Sequence, residues 1–109
     1  MVSDWRIKQM IIEWKIMKSV LNHCGADVSM ILSDLKSPSI DEIEIFEGIA
    51  VLMTTEILEF SLQHRDFIFT PETAGSPLTR ALKSSTPPIS EEDYMNYGWR
   101  KLAGLGMVE

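Results

Sequence analysis

Residues 3–25 read SDWRIKQMIIEWKIMKSVLNHCG, and the placement of apolar residues in this stretch decides how the rest of the chain is arranged. Its ends are marked. Ser3 is an N-cap whose hydroxyl can accept the first free amides, Asp4 complements the positive helix end, and Gly25 supplies a left-handed stop, which predicts a helix from 4 to about His23. At about 100° per residue, Ile7, Met10, Ile11, Trp14, Met17, Leu21 and Cys24 fall in one stripe. Trp5, Ile12, Ile16 and Val20 lie on the opposite side, with Lys8, Lys15, Ser19 and Asn22 in one strip between and Arg6 and Glu13 on a thinner flank.

A helix with two apolar sides either runs through the middle of its domain or offers one side to a partner. A chain of 109 residues has a high surface-to-volume ratio and difficulty surrounding a helix completely. An apolar stripe anchored by a tryptophan also has the composition of a binding surface. The reading that follows gives Ile7, Ile11, Trp14 and Leu21 to the core. It gives Trp5, Ile12, Ile16 and Val20 to a partner, with isologous pairing of this helix against a second copy as the expected form.

Working outward, Asp27 opens a short second helix in which Val28, Ile31, Leu32 and Leu35 make one stripe, and Pro38 ends it. In SIDE, residues 39–42, Ser39 and Glu42 have capping-box spacing and predict a third helix from 40 to about 63. Phe46, Ile49, Ala50, Met53, Ile57 and Phe60 form its main stripe, with Val51, Leu58 and Leu62 as a second. FIFTP, residues 67–71, reads as extended, and the absence of a second alternating segment argues against a sheet. Ser76 and Pro77 begin a short helix. Ser90 caps a last one, with Glu91, Glu92 and Asp93 in its first turn and Arg100 and Lys101 in its last. The expectation is a single all-α domain over 1–109, of about five helices, two long and three short, with an extended segment near 67–70.

Composition bounds the partners. The net charge of −6 and a pI near 4.8 disfavour nucleic acid and anionic membranes, which reward clustered Lys and Arg. The charge is uneven: residues 1–24 carry Arg6, Lys8, Lys15 and Lys18 against Asp4 and Glu13, whereas residues 27–66 are strongly acidic. The lone Cys24 forms no internal disulfide and no zinc site of common spacing, favouring a reducing compartment. Charges interrupt the N-terminal apolar run, and GIAVLMTT, residues 48–55, is too short to span a bilayer. A soluble, cytoplasmic protein is expected.

The chemistry-bearing residues form no recognisable constellation. His23 and His64 lack a Glu or Asp three residues upstream, so no di-iron helix motif is present. Glu44 with Glu47, and Glu56 with Glu59, lie one turn apart without converging ligands of another type. Cys24 sits at a helix C-terminus, where the dipole disfavours thiolate. AGLG follows a helix where a phosphate-binding loop would precede one. No enzyme activity, metal or cofactor is expected.

Near the C-terminus, RKLAGLGMVE resembles the end of a recognition helix in winged-helix regulators, where a Leu before a Gly-Leu-Val segment packs the helix on the start of the wing. The resemblance implies DNA binding as an alternative function, although the acids at 91–93 carry the wrong charge for phosphates. Tyr94, Tyr97 and Trp99 supply a second candidate partner surface beside the rigid Pro87–Pro88 turn. The sequence is therefore read as a non-catalytic protein–protein interaction module: an adaptor, inhibitor, assembly factor or regulatory subunit.

Overall fold

A computed structural model describes residues 4–105. Ser3 lies outside the described residues, as do the last four of the winged-helix-like run. The described chain forms α1 (Asp4–Asn22), α2 (Val28–Leu35), α3 (Glu42–Thr54), β1 (Leu58–Ser61), β2 (Asp66–Phe69), α4 (Pro71–Ala74), α5 (Pro77–Ala81) and α6 (Glu91–Tyr97). The fold is mostly helical with one two-stranded antiparallel sheet, which corrects the all-α expectation.

The first helix is buried over a single wide arc. Its buried residues are Met10, Ile12, Glu13, Trp14, Ile16, Met17, Ser19 and Val20, which at 100° per residue span roughly 220°. The two apolar stripes are joined because the flank that separates them, occupied by Glu13, is buried as well. Around this arc sit α2, α3, α6 and β2. One contiguous core of buried side chains runs from Met10 to Ala103.

Where α1 meets α3 the contact is set by the smallest residue available. Gly48 lies against Ile16 and Ile12 so closely that a Cβ there would fall 2.6 Å from Ile16 Cδ1. The face of α3 turned inward is therefore Ile45, Gly48, Ile49 and Leu52. Phe46, Ala50 and Met53, expected inside, point out instead, because the bulk of Phe46 would hold the helices apart where Gly48 lets them close.

Two helix ends explain most of the remaining differences. α1 ends in a Schellman arrangement: Cys24 N–H donates to Leu21 O at 3.2 Å and Gly25 N–H to Val20 O at 2.9 Å. Cys24, at φ 53°, takes the left-handed position expected of Gly25. Gly25 follows at φ 108°, a conformation that favours glycine, and a Cβ there would also meet Asp66 Oδ2 at 2.6 Å. α3 ends in the same way, with Glu56 N–H donating to Met53 O and Ile57 N–H to Leu52 O. Glu56 is the left-handed residue, at φ 67°. The helix expected to reach 63 thus stops at Thr54, at a site where the sequence offers no glycine to announce it.

The chain after Glu56 forms the hairpin. Leu58 pairs with Phe69, Glu59 with Ile68, Phe60 with Phe67 and Ser61 with Asp66. Phe60 and Phe67 meet edge to face across the strands at 5.2 Å. The loop closes through Arg65 N–H to Ser61 O at 2.7 Å, with Arg65 at φ 55°. Ala26 and Phe67 exchange both backbone bonds, at 3.1 and 2.8 Å, fastening the α1–α2 connection to β2. Thr70 closes the base of the hairpin, its hydroxyl donating to Glu56 O at 2.7 Å.

Two of the expected caps stand as read, Ser76 accepting from Leu78 N and Ser90 from Asp93 N, and Asp27, where the second helix was expected to open, caps it by accepting from Met30 N. The capping box of α3 is formed by Asp41 and Glu44 rather than Ser39 and Glu42. Ser37 and Ile40 exchange backbone bonds in a tight turn that buries Ile40, so the helix begins two residues later.

Candidate interaction surface

The assignment of Ile12, Ile16 and Val20 to a partner surface is corrected: all three are buried in the chain's own core. The physical reason is the close approach at Gly48, which lets α3 cover the stripe. Of that set only Trp5 remains outside, 61% exposed, with Arg6 stacked 4.6 Å over its ring. The residues given to the core, Ile7, Ile11 and Leu21, are half-buried, and Trp14 alone of that set is fully covered. Lys18 lies 4.5 Å over the Trp14 ring and donates to Ser84 O at 2.9 Å.

Tyr94 and Trp99 are likewise corrected, since both are buried and Tyr97 alone of the three is exposed. What draws the pair inward is Glu13. This side chain is 1% exposed, and Tyr94 Oη donates to both of its carboxylate oxygens at 3.0 Å while Trp99 Nε1 donates to Oε1 at 3.0 Å. Burial pushes the Glu13 carboxyl above its ordinary value; bonds from Tyr94, Gln9 and Trp99 and the charge of Arg6 oppose that rise. The Tyr94 phenol is pushed far above its ordinary value, first by burial and then by the neighbouring Glu13 charge. The two rings meet edge to face at 5.8 Å.

The same contact fixes the segment that follows α6. Arg100 Nη1 donates to Thr55 O at 2.7 Å, a cation at the negative end of α3, and Leu78 N–H donates to Leu102 O. Lys101 lies 5.4 Å over the Tyr97 ring. In the winged-helix-like run, residues 100–104 form turns after a seven-residue helix, and Arg100 is directed inward.

One constellation escapes linear reading. Ser19 Oγ donates to Asp34 Oδ2 at 2.6 Å, and His23 Nε2 lies 2.9 Å from the same oxygen. The bond from Ser19 holds the Asp34 carboxyl below its usual value. Although these are the residue types of a hydrolytic triad, the carboxylate stands between serine and histidine. The imidazole does not reach the hydroxyl it would have to deprotonate, and the arrangement joins α1 to α2. Among the described residues no group of three His, Cys, Asp or Glu is placed to hold a metal, and no helix is long and apolar enough to cross a membrane.

Leu62, at 84% the most exposed, and Trp5, Met30, Phe60, Met95 and Tyr97 are exposed on other elements, and the exposed apolar residues grouped along one face of a single helix are on α3. Ile43 is 68% exposed, Phe46 45% and Met53 40%, and Ala50 is exposed between them. At 100° per residue the four fall within about 80° of one another. Beside them a groove of about 560 Å³ runs between α1 and α3, lined by Trp5, Lys8, Glu44, Glu47, Ala50 and Val51 among others, and braced by the Lys8–Glu44 ion pair at 2.8 Å. The stripe and Trp5 therefore border one continuous surface. The signal for it was present in the sequence as surplus apolar residues on the third helix, but the register of burial depends on Gly48.

Comparison with protein-family models, with curated proteins and with solved structures finds no significant match for this chain.

Proposed function

We propose that this protein is a non-catalytic interaction module, an adaptor, inhibitor, assembly factor or regulatory subunit, that associates through the outer face of α3 and the adjoining Trp5. The observation that carries the reading is the stripe Ile43, Phe46, Ala50 and Met53, left exposed on a helix whose opposite side is fully packed. Exposed aromatic and aliphatic anchors grouped on one rigid element, rimmed by charge, are the composition of a binding hot spot. Chemistry supports the same reading from the other side. The buried carboxylate Glu13 is consumed by Tyr94 and Trp99, and the Ser19–Asp34–His23 group lacks the geometry of a relay.

The test is paired affinity capture from the source cells with the wild type and the I43K/F46K variant, after thermal unfolding has shown that both fold alike. Proteins held by the wild type and lost by the variant are expected. Identical sets from the two would overturn the reading.

A further inference from the structure

We infer that the occupant of the α3 face is a second copy of this chain, packed antiparallel on the first; the inference rests on the association proposed above and names its partner. The exposed apolar residues of α3 are spaced three, four and three apart, at 43, 46, 50 and 53. This is the alternation of a two-stranded helical seam, with Ile43 and Ala50 in one type of position and Phe46 and Met53 in the other. The spacing is also its own mirror image about the level of Gly48. A two-fold axis at that level sets Ile43 of one copy opposite Met53 of the other, and Phe46 opposite Ala50.

Size as well as spacing is complementary under that operation. Each seam layer pairs a ring with a methyl or two side chains of middling volume, so Phe46 finds the space that Ala50 leaves and no layer opposes two rings. A parallel pairing would instead set Phe46 against Phe46 and Ala50 against Ala50, crowding one layer and leaving a void in the next.

Charge permits the contact in spite of a net charge of −6 on each chain. The edge of the stripe nearest α1 carries both signs in balance, since Glu44 and Glu47 line the groove with Arg6 and Lys8, Lys8 being held by Glu44. A copy related by a two-fold axis meets a mixed edge there. The seam is a single 13-residue helix with Trp5 at its border, less than the ~800 Å² per partner of a standard stable interface. The dimer is accordingly weak and concentration-dependent, and because the two chains repel at long range it strengthens with added salt.

The experiment has two arms. In sedimentation velocity the wild type is expected to shift from monomer toward dimer as its concentration rises from tens of micromolar to millimolar, more so at higher salt, while I43K/F46K stays monomeric. In a C24S background, F46C and A50C single variants are mixed in a glutathione redox buffer. The mixed F46C–A50C disulfide is expected well in excess of the statistical share, because the antiparallel register brings those two positions together. A wild type that stays monomeric throughout, or disulfides in statistical proportion, overturns the self-pairing. If the capture experiment then still separates wild type from I43K/F46K by some other protein, the α3 face keeps its role with a different occupant. If capture also finds no difference, both proposals fall.

Discussion

Tyr94 donates its phenolic hydrogen between the two carboxylate oxygens of Glu13, 3.0 Å from each, across 81 residues of sequence. Because Glu13 is buried on α1 and Tyr94 is on α6, this contact fastens the last helix to the first. Removing the hydroxyl leaves a buried carboxylate short of a donor. Tyr94→Phe is expected to lower stability by about 1–3 kcal/mol, read from urea unfolding at neutral pH. An unchanged midpoint would show that the contact contributes nothing.

The pH dependence of the same site has a defined sign. Burial raises the folded-state pKa of Glu13 above its ordinary value. The stabilising contribution of the protonated carboxyl is therefore complete below the ordinary value near 4.5 and is lost as pH rises through the raised folded value. Glu13→Gln does not titrate and keeps an acceptor for Tyr94 or Trp99. The stability of Glu13→Gln relative to wild type is expected to increase from pH 4 to pH 7, measured by denaturant titration at each pH. A constant difference would mean that Glu13 carries no net burial penalty.

At the α1–α3 crossing, Gly48→Ala improves intrinsic helix propensity by roughly 1 kcal/mol but drives a methyl into Ile16, which is itself fully buried. Overpacking of this kind costs about 1–3 kcal/mol, so the crowding is expected to prevail and the thermal midpoint to fall. A rise would show that Ile16 has room to rotate away.

The outer face of α3 is expected to behave oppositely. Ile43→Lys and Phe46→Lys replace exposed groups, and each is expected to change stability by no more than about 0.5 kcal/mol, while Ile16→Ala in the core costs about 2–5 kcal/mol. Thermal unfolding of the three variants side by side checks the contrast. A large loss from either lysine variant would place that residue in the core.

What the sequence made legible were the features written in local chemistry. The Ser76 and Ser90 caps, the opening of α2 after Asp27, the span of α1 and the extended run near 67–70 follow from side chains acting on their own neighbours. The misread features depend on contacts made at a distance. The end of α3 rests on Glu56 adopting a left-handed conformation without a glycine, and the hairpin loop LQHR, residues 62–65, has none of the usual turn residues. With helix assumed to continue, Ile57 and Phe60 extended the stripe of Phe46 and Met53 and drew it inward. The candidate surface shifted for the same reason. Apolar surplus on both long helices was visible, but which side is spent on the core was decided by the one glycine in α3 and by the buried Glu13 that brings Tyr94 and Trp99 onto α1.

The central claim, that α3 presents its outer face to a partner, is tested most directly by placing the photoreactive residue p-benzoylphenylalanine at position 46 in the source cells, with position 83, exposed and remote in sequence, as control. Irradiation is expected to yield discrete adducts from position 46, including one of twice the chain mass, and none of comparable yield from position 83. Equal or absent adducts at the two positions would contradict the account.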